Sequence, residues 1–445
     1  MKVLLLTSEE WNDKKYGNNN MSNWFSGFEE LDIAHVYCSG GKPDNRCCTR
    51  YFQISDNAMG KGFFIRKPAG RAFDWAPEEG GVNASGGGKK IPWIMKTELV
   101  RGFRDIVWRY GKINRAKLKE FIEEFQPDII FSQRKASIRI CRVEREVHKL
   151  IPDVPMIVYT ADDEYSLKQF SLNPIFWWRR FAVRSYMRKN VKFYAKYYTD
   201  AEAQGEEYER LFGIKTDFLA KCGDFDLEKT HKEVHKPIRF VYTGKLYCNR
   251  WKTLQLLAKA IAKVNGEECK FKLDIYTQSP YKKKYRKWLD NKTHSEIKGK
   301  IPSEEVPRVY EEADIALHVE GFDLKNRLMT RYSFSTKIID CMATGCVVMA
   351  ICHESQNGLQ YLRKHDAAIT VSNKKEIVAT LQDLYEQPSK ITDYGRRAIE
   401  CGLKNHTRVS IQKQLLEDMR SLTEKQGENN ENCANKCRLR RGKYG

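Results

Sequence analysis

No stretch of this 445-residue chain approaches the roughly 20 consecutive apolar residues that a membrane-spanning helix requires. The longest runs, such as Val3–Leu6 and Cys346–Ile351, end after a few positions. The opening Met1-Lys2-Val3-Leu4-Leu5-Leu6 turns polar at Thr7, too soon for a secretory signal, and reads as a buried first strand. The 13 cysteines form no paired framework, so they read as reduced thiols and the compartment as cytoplasmic. Cys433 and Cys437 have no second pair at zinc spacing, and no His/Asp/Glu cluster has metal-ligand spacing, so neither a metal nor a cofactor is expected. Helix-turn-helix, RNA-recognition and zinc-finger patterns are also lacking, which leaves a nucleic-acid-binding protein as the weaker rival reading. Acid is in short supply: 58 Asp and Glu face 78 Lys and Arg, a formal charge of +20. That excess favours anionic partners without choosing among them.

What is present is a repeated alternation. At this length two α/β domains are expected rather than one core. In the first half, strand patterns at Val3–Leu6, Ile33–Tyr37, Pro127–Phe131, Pro155–Thr160 and Phe193–Thr199 are separated by helical ones such as Lys117–Phe125. The Gly- and Lys-rich stretch 77–90 has no period and reads as a loop. After the charged stretch Leu227–Pro237 the alternation restarts. Strands are predicted at Ile238–Thr243, Lys272–Thr277, Ile315–Val319 and Val347–Ile351, with helices at Trp251–Val264, Val306–Glu312 and Lys337–Met342. Such alternation predicts parallel sheets covered by helices on both faces. The expected division is 1–226 as an acceptor domain, 227–237 as linker, 238–404 as a donor domain, 405–423 as a helix returning toward the first domain, and 424–445 as a disordered basic tail.

Parallel sheets receive ligands beyond the carboxyl ends of their strands, where helix N-termini offer unpaired N–H groups. Two segments of the second half fit that position. In Tyr242-Thr243-Gly244-Lys245-Leu246, Gly244 permits a tight turn, and Lys245 with Arg250 flank a loop suited to a diphosphate. Solvated surface charges are the plain alternative. In Ser333–Gly345, Ser335 or Thr336 can cap a helix, Lys337 adds positive charge, and Asp340 one turn later can accept from ribose hydroxyls. An ordinary cap followed by an ordinary helical Asp reads equally well.

In order, these pieces resemble the retaining glycosyltransferases of sequence family 4, which have the GT-B fold. Between Thr243–Leu246 with Arg250 and Ser335–Gly345 fall Lys298–Pro307 and Tyr310–Phe322, in the family's sequence. Pro127–Phe131, Tyr159–Asp163 and Glu206–Gly213 are weaker counterparts in the first half. The resemblance implies two Rossmann-like domains facing across a cleft. It also implies transfer of a hexose from a UDP- or GDP-linked sugar to a hydroxyl of a glycan or lipid-linked saccharide, with retention and without a metal, in polysaccharide biosynthesis. Lys245 and Arg250 would neutralise the diphosphate, with the family's residue types exchanged. Glu320 and Asp340 stand for its paired glutamates, set further apart by an insert at Asp323–Tyr332. Asp162-Asp163 stands where the family often has His-Asp, so Asp162 is a candidate catalytic group and Asp163 a candidate donor contact; both are equally read as helix caps. An inactive homologue and a nucleotide-sugar epimerase of the same fold stay open.

Gly17, in the loop after the first strand, is a candidate acceptor contact. From Ser171 to Thr199 there is no Asp or Glu, and Arg180, Arg184, Arg188, Lys192 and Lys196 recur every fourth position behind Trp177, Trp178 and Phe181. That stripe is expected either to lie on anionic lipid at the inner membrane face or to be plain scaffold.

Overall fold

A computed structural model describes residues 1–15, 20–76, 97–230, 233–279 and 283–441; at 284, 303 and 427–441 only the backbone is described. The chain divides into two units. One comprises 1–167, 171–219 and 412–445, and the other 168–170 and 220–411. The division thus falls at 219/220, ahead of the charged stretch read as a linker.

The first unit is built on eight strands: β1 (Lys2–Thr7), β2 (Asp32–Tyr37), β3 (Arg50–Gln53), β4 (Arg71–Asp74), β5 (Ile129–Arg134), β6 (Met156–Thr160), β7 (Tyr194–Thr199) and β8 (Thr216–Phe218), in spatial order β4-β3-β2-β1-β5-β6-β7-β8. All neighbours are parallel except β3 and β4. Val3 to Leu6 are wholly buried, as a central parallel strand covered on both faces requires. The helices are set by local signals. Asn114 caps Arg115–Phe125, its side chain accepting from the Lys117 N–H at 3.2 Å, and Gln126 ends the helix in a left-handed conformation with φ 53°.

The second unit carries six parallel strands: β9 (Ile238–Thr243), β10 (Phe271–Tyr276), β11 (Ser295–Gly299), β12 (Ile315–Val319), β13 (Val347–Ile351) and β14 (Ile369–Val371), in order β11-β10-β9-β12-β13-β14. The chain steps outward from β9 on one side, then returns to lay β12 on the other. The point where the order reverses therefore lies between β9 and β12. These two strands pair only at Ile315 with Phe240 and Ala316 with Val241. Beyond that they part, opening a crevice at their carboxyl ends.

The basic stripe of Ser171–Thr199 faces outward only in part: Arg180 is buried, Arg184 and Lys196 are half-buried, and Arg188 and Lys192 are exposed. The helix Pro174–Asn190 turns its arginines onto the loop after β6. Arg180 donates to the Asp163 carboxylate and carbonyl at 2.6 Å each and to the Ser166 carbonyl at 2.9 Å. Arg184 donates to the Tyr165 carbonyl, and Arg188 to the Tyr165 hydroxyl at 2.6 Å. Lys196 pairs with Asp217 and Asp418. Acceptors supplied by other segments thus engage Arg180, Arg184, Arg188 and Lys196, so the stripe serves in part as scaffold. No described helix is long and apolar enough to cross a membrane.

The last helix runs Arg408–Arg441, past Leu422 and through most of the segment expected to be disordered. That segment holds neither proline nor β-branched residues after Thr423, and the helix continues through Gly427. Gln412 donates to the carbonyls of Asn23 and Ser26, and Arg420 pairs with Glu30 at 2.9 Å.

Removing Asp163 strands the buried Arg180 guanidinium. Asp163→Ala is expected to lower the stability of the first unit by about 3–5 kcal/mol, read as an earlier transition in urea. An unchanged midpoint would show that the pair carries no stability.

Candidate functional site

The crevice between β9 and β12 is lined by residues from four segments of the second unit. β9 ends at Thr243, and Gly244 follows with φ +152°, its N–H donating to the Tyr276 carbonyl at 2.8 Å. The loop is pinned again by Leu246, whose N–H donates to the Ser279 hydroxyl at 2.8 Å. The helix Arg250–Asn265 then begins, directly after two left-handed residues, Cys248 and Asn249.

Arg250 at the start of that helix meets Glu320 just past β12. Nε and Nη2 donate to the two carboxylate oxygens at 3.0 and 2.5 Å, a bidentate fork. Glu320 holds Arg250 well above its ordinary pKa against the cost of burial. The fork is fixed from behind: Thr253, on the same helix, donates its hydroxyl to the Glu320 carbonyl at 2.7 Å. Asp323 caps the helix Leu324–Thr330 and accepts from Asn249 at 2.8 Å. The segment Asp323–Tyr332 is thus a capped helix joined to the loop that precedes Arg250.

Lys337 enters from the short helix Thr336–Met342. Its Nζ donates to the Thr243 carbonyl and lies 5.3 Å from the centroid of the Tyr242 ring. The positive φ favours glycine at 244, and a Cβ there would displace that ammonium. Burial, reinforced by Arg250, pushes the Lys337 pKa down to about 8. Tyr242 is buried beneath both cations and donates its hydroxyl to the Lys245 carbonyl at 2.8 Å. His318 on β12 is held down to about 3, by burial first and then by Arg250 and Lys337, so it is neutral.

Gly244, Arg250, Glu320 and Lys337 therefore converge. Lys245 is exposed on the same loop, its side chain making no described hydrogen bond or ion pair. Ser335 holds the N-cap position with φ −74° and ψ 117°, but no side chain there caps the helix. This differs from the expected Ser/Thr cap and leaves the first amides, near Thr336, unclaimed by it. Asp340 is tied to Lys221 by an ion pair. In the first unit, Asp162 is exposed, and its carbonyl accepts from Gln204 at 2.8 Å. Asp163 is buried and committed to Arg180 and Ser166, an anchor in the fold rather than a group presented to a ligand. Gly17 lies outside the described residues. Beside Asp162, burial pushes Glu164 up to about 7 against the pull of Arg134.

The sequence reading passed over the roles of Tyr242, His318, Thr253 and Lys221. Tyr242 and His318 stood inside segments already singled out, where strand alternation marks them only as inward-facing. Lys221 and Thr253 had no signal beyond residue type. Among the described residues no group of three His, Cys, Asp or Glu side chains is placed to hold a metal ion.

Residues 234–417 match a family model described as Glycosyl transferase-like. A search of curated protein sequences gives no match. Among solved structures, Anabaena Alr3699/HepE in complex with UDP is similar over 95% of this chain and 100% of its own, at 12% identity and TM-score 0.59. Sucrose-phosphate synthase (tll1590) from Thermosynechococcus elongatus is similar over 95% and 99%, at 12% identity and TM-score 0.59. An α,α-trehalose-phosphate synthase (UDP-forming) from Burkholderia vietnamiensis is similar over 95% and 100%, at 9% identity and TM-score 0.56. At these identities the likeness shows the fold: α/β units on parallel sheets, as in the GT-B glycosyltransferases.

The Arg250–Glu320 fork should register as coupling. Alanine at each position, singly and together, is expected to give an interaction energy of about 1–3 kcal/mol by chemical denaturation. Additive losses would mean that the fork adds nothing beyond its separate residues.

Proposed function

We propose that the chain is a glycosyltransferase that takes a hexose from a nucleoside-diphosphate sugar, UDP- or GDP-linked, and passes it to a hydroxyl of a glycan or lipid-linked saccharide. The observation that carries this reading is the pairing of Arg250 and Lys337 at the β9/β12 crevice, within a segment that matches a glycosyl transferase-like family model.

Cleaving a sugar–phosphate bond builds negative charge on the departing diphosphate and positive charge at the anomeric carbon. Cations fixed before the reaction stabilise that charge without reorganising, which can supply several kcal/mol. Glu320 uses two of the five guanidinium N–H donors and orients the rest. Lys337 stands over the Gly244 turn, where the backbone can approach a phosphate closely. Lys245 on the rim adds charge, and the Thr336 amides add donors. With positive charge supplied by side chains, we assign the chemistry no divalent metal and no cofactor beyond the nucleotide-sugar co-substrate. Asp340 and Glu320 are the assigned contacts to ribose and sugar. Asp162, exposed just beyond β6, is assigned to the acceptor's proton or a donor hydroxyl. Retention of configuration and a role in polysaccharide biosynthesis rest on the resemblance to family 4 alone.

Nucleotide binding tests the reading. UDP or GDP at about a hundredfold excess over its Kd should stabilise the protein by roughly 2.7 kcal/mol, seen as a raised melting temperature. Lys245→Ala combined with Arg250→Ala should abolish the rise relative to its own baseline. Failure of every UDP- and GDP-sugar to bind would sink the assignment. Binding without donor hydrolysis or transfer would indicate an inactive homologue, and epimer formation the epimerase.

A pH arm follows from Lys337. Its ammonium titrates near 8 in the empty site, and a diphosphate beside it favours the charged form. Binding therefore takes up a proton above that pH, and affinity should fall as pH rises from 8 toward 10, by up to tenfold per unit. Lys337→Met should bind more weakly and lose this slope, measured by isothermal titration calorimetry. The same slope in the variant would assign the proton to another group.

A further inference from the structure

The helix Glu98–Tyr110 of the first unit carries apolar residues on its exposed face as well as its buried one. Leu99, Phe103, Ile106 and Tyr110 recur at helical spacing and form one stripe, exposed by 69, 51, 36 and 64%. The side facing the protein carries Gly102, Asp105, Val107 and Trp108; Val107 and Trp108 join the core, and Asp105 bonds to Arg179 at 2.7 Å. Because Asp105 must stay with Arg179, the helix cannot rotate to bury its apolar stripe without leaving a charge unpaired in the interior.

The exposed apolar surface continues on both sides. Phe64 and Ile65, at the end of the helix Asp56–Phe64 and just past it, are each 67% exposed, and the Phe64 ring lies 6.2 Å from that of Phe103. On the other flank Ile175 and Trp178 approach Gly102, and Phe181 is exposed one turn further along. A contiguous patch of this extent on a monomer marks an interaction surface.

Charge identifies what covers it. In segments 61–68, 99–112 and 172–192 the only carboxylate is Asp105, whereas Lys61, Arg66, Lys67, Arg109, Lys112 and Lys189 are exposed. Next to Tyr110 a cavity of about 200 Å³ is lined by Arg109, Arg145, Lys189, Ala182, Ser185 and Tyr186. Three cations surround it with no carboxylate in its wall. Among the described residues Arg145 donates to a neutral amide oxygen, that of Asn190, at 2.8 and 3.3 Å, and lies over the Tyr186 ring. Apolar side chains beside an acid-free basic rim match the boundary between acyl chains and phosphate headgroups.

We propose that the first unit docks on an anionic lipid surface through the Leu99–Tyr110 stripe, with a lipid phosphate received by the Arg109–Arg145–Lys189 cavity. The contact is monotopic: side chains enter the interface and no segment crosses the bilayer. It does not depend on the donor site.

Co-sedimentation of the full chain with phosphatidylcholine vesicles, with and without 30% phosphatidylglycerol, tests it. Binding should be at least tenfold stronger to the anionic vesicles. Leu99→Ser combined with Phe103→Ser should weaken it tenfold or more while leaving the melting temperature in place, since both positions are exposed. Arg109→Glu combined with Lys189→Glu should remove the preference for anionic lipid, and Lys375→Glu, on the second unit, should change nothing. Lipid binding unaffected by both double variants would overturn the proposal. So would absence of vesicle binding, whether the stripe instead joins two copies in solution or the cavity binds inorganic phosphate alone.

Discussion

The second unit depends on how positive charge is placed at the point where its sheet reverses order. Arg250 and Lys337 are both drawn into the crevice between β9 and β12, and the described partners there supply one carboxylate, Glu320, in a bidentate fork with Arg250. Lys337 is left to a backbone carbonyl, that of Thr243. A buried ammonium bonded to a neutral acceptor is costly, and its pKa records that cost. Much of the surrounding architecture makes the arrangement possible. Strand pairing stops at Val241 and Ala316, glycine occupies position 244, and the Asn249–Asp323 contact holds the Arg250 helix to the loop after Glu320. An anion in the crevice would meet charge already fixed in place, and this links the fold to the proposed chemistry.

The first unit handles its basic residues differently. Arg180, Arg184 and Arg188 close on the loop Asp163–Ser166 and its carbonyls, so a row of charge becomes a clamp on one turn of chain. Asp162 sits at the open end of that clamped loop. Its backbone is held by its neighbours while its side chain is exposed, a usual division of labour for a loop at the carboxyl end of a parallel strand. Arg179 faces elsewhere and is consumed by Glu98 and Asp105.

Strong periodicity made much of the fold legible in the sequence. β12 and β13 lie where their apolar runs placed them, and β1, β2, β6, β7, β9 and β10 are displaced by at most one or two residues. Strands with little apolar content were invisible: β4, Arg71–Asp74, carries two charges in four residues, and β8 and β14 are only three residues long. The helix Glu98–Tyr110 was passed over although Leu99, Phe103, Ile106 and Tyr110 recur at helical spacing. In the site, Gly244, Arg250 and Lys337 could be selected because their types and positions fit phosphate chemistry. That Arg250 pairs with Glu320, while Asp340 pairs with Lys221, could not be read. Those partners lie 70 and 119 positions apart, and only the sheet order brings them together.

The acid-free stretch Ser171–Thr199 shows where such reading fails and why. A run of arginines without nearby acids suggests a solvated face, since charged side chains are seldom buried. The premise holds for carboxylates close in sequence and ignores acceptors of other kinds. Arg180 is buried because one carboxylate and two carbonyls from a loop 14–17 positions earlier engage all three of its guanidinium nitrogens. Once those arginines are drawn inward, the helix presents Trp178 and Phe181 outward, beside the apolar stripe of Glu98–Tyr110. Of the basic residues that remain exposed here, Arg101 pairs with Glu98, whereas Arg109 and Lys189 line a cavity with no carboxylate in its wall. Net charge of +20 therefore says little until the internal pairs are set aside.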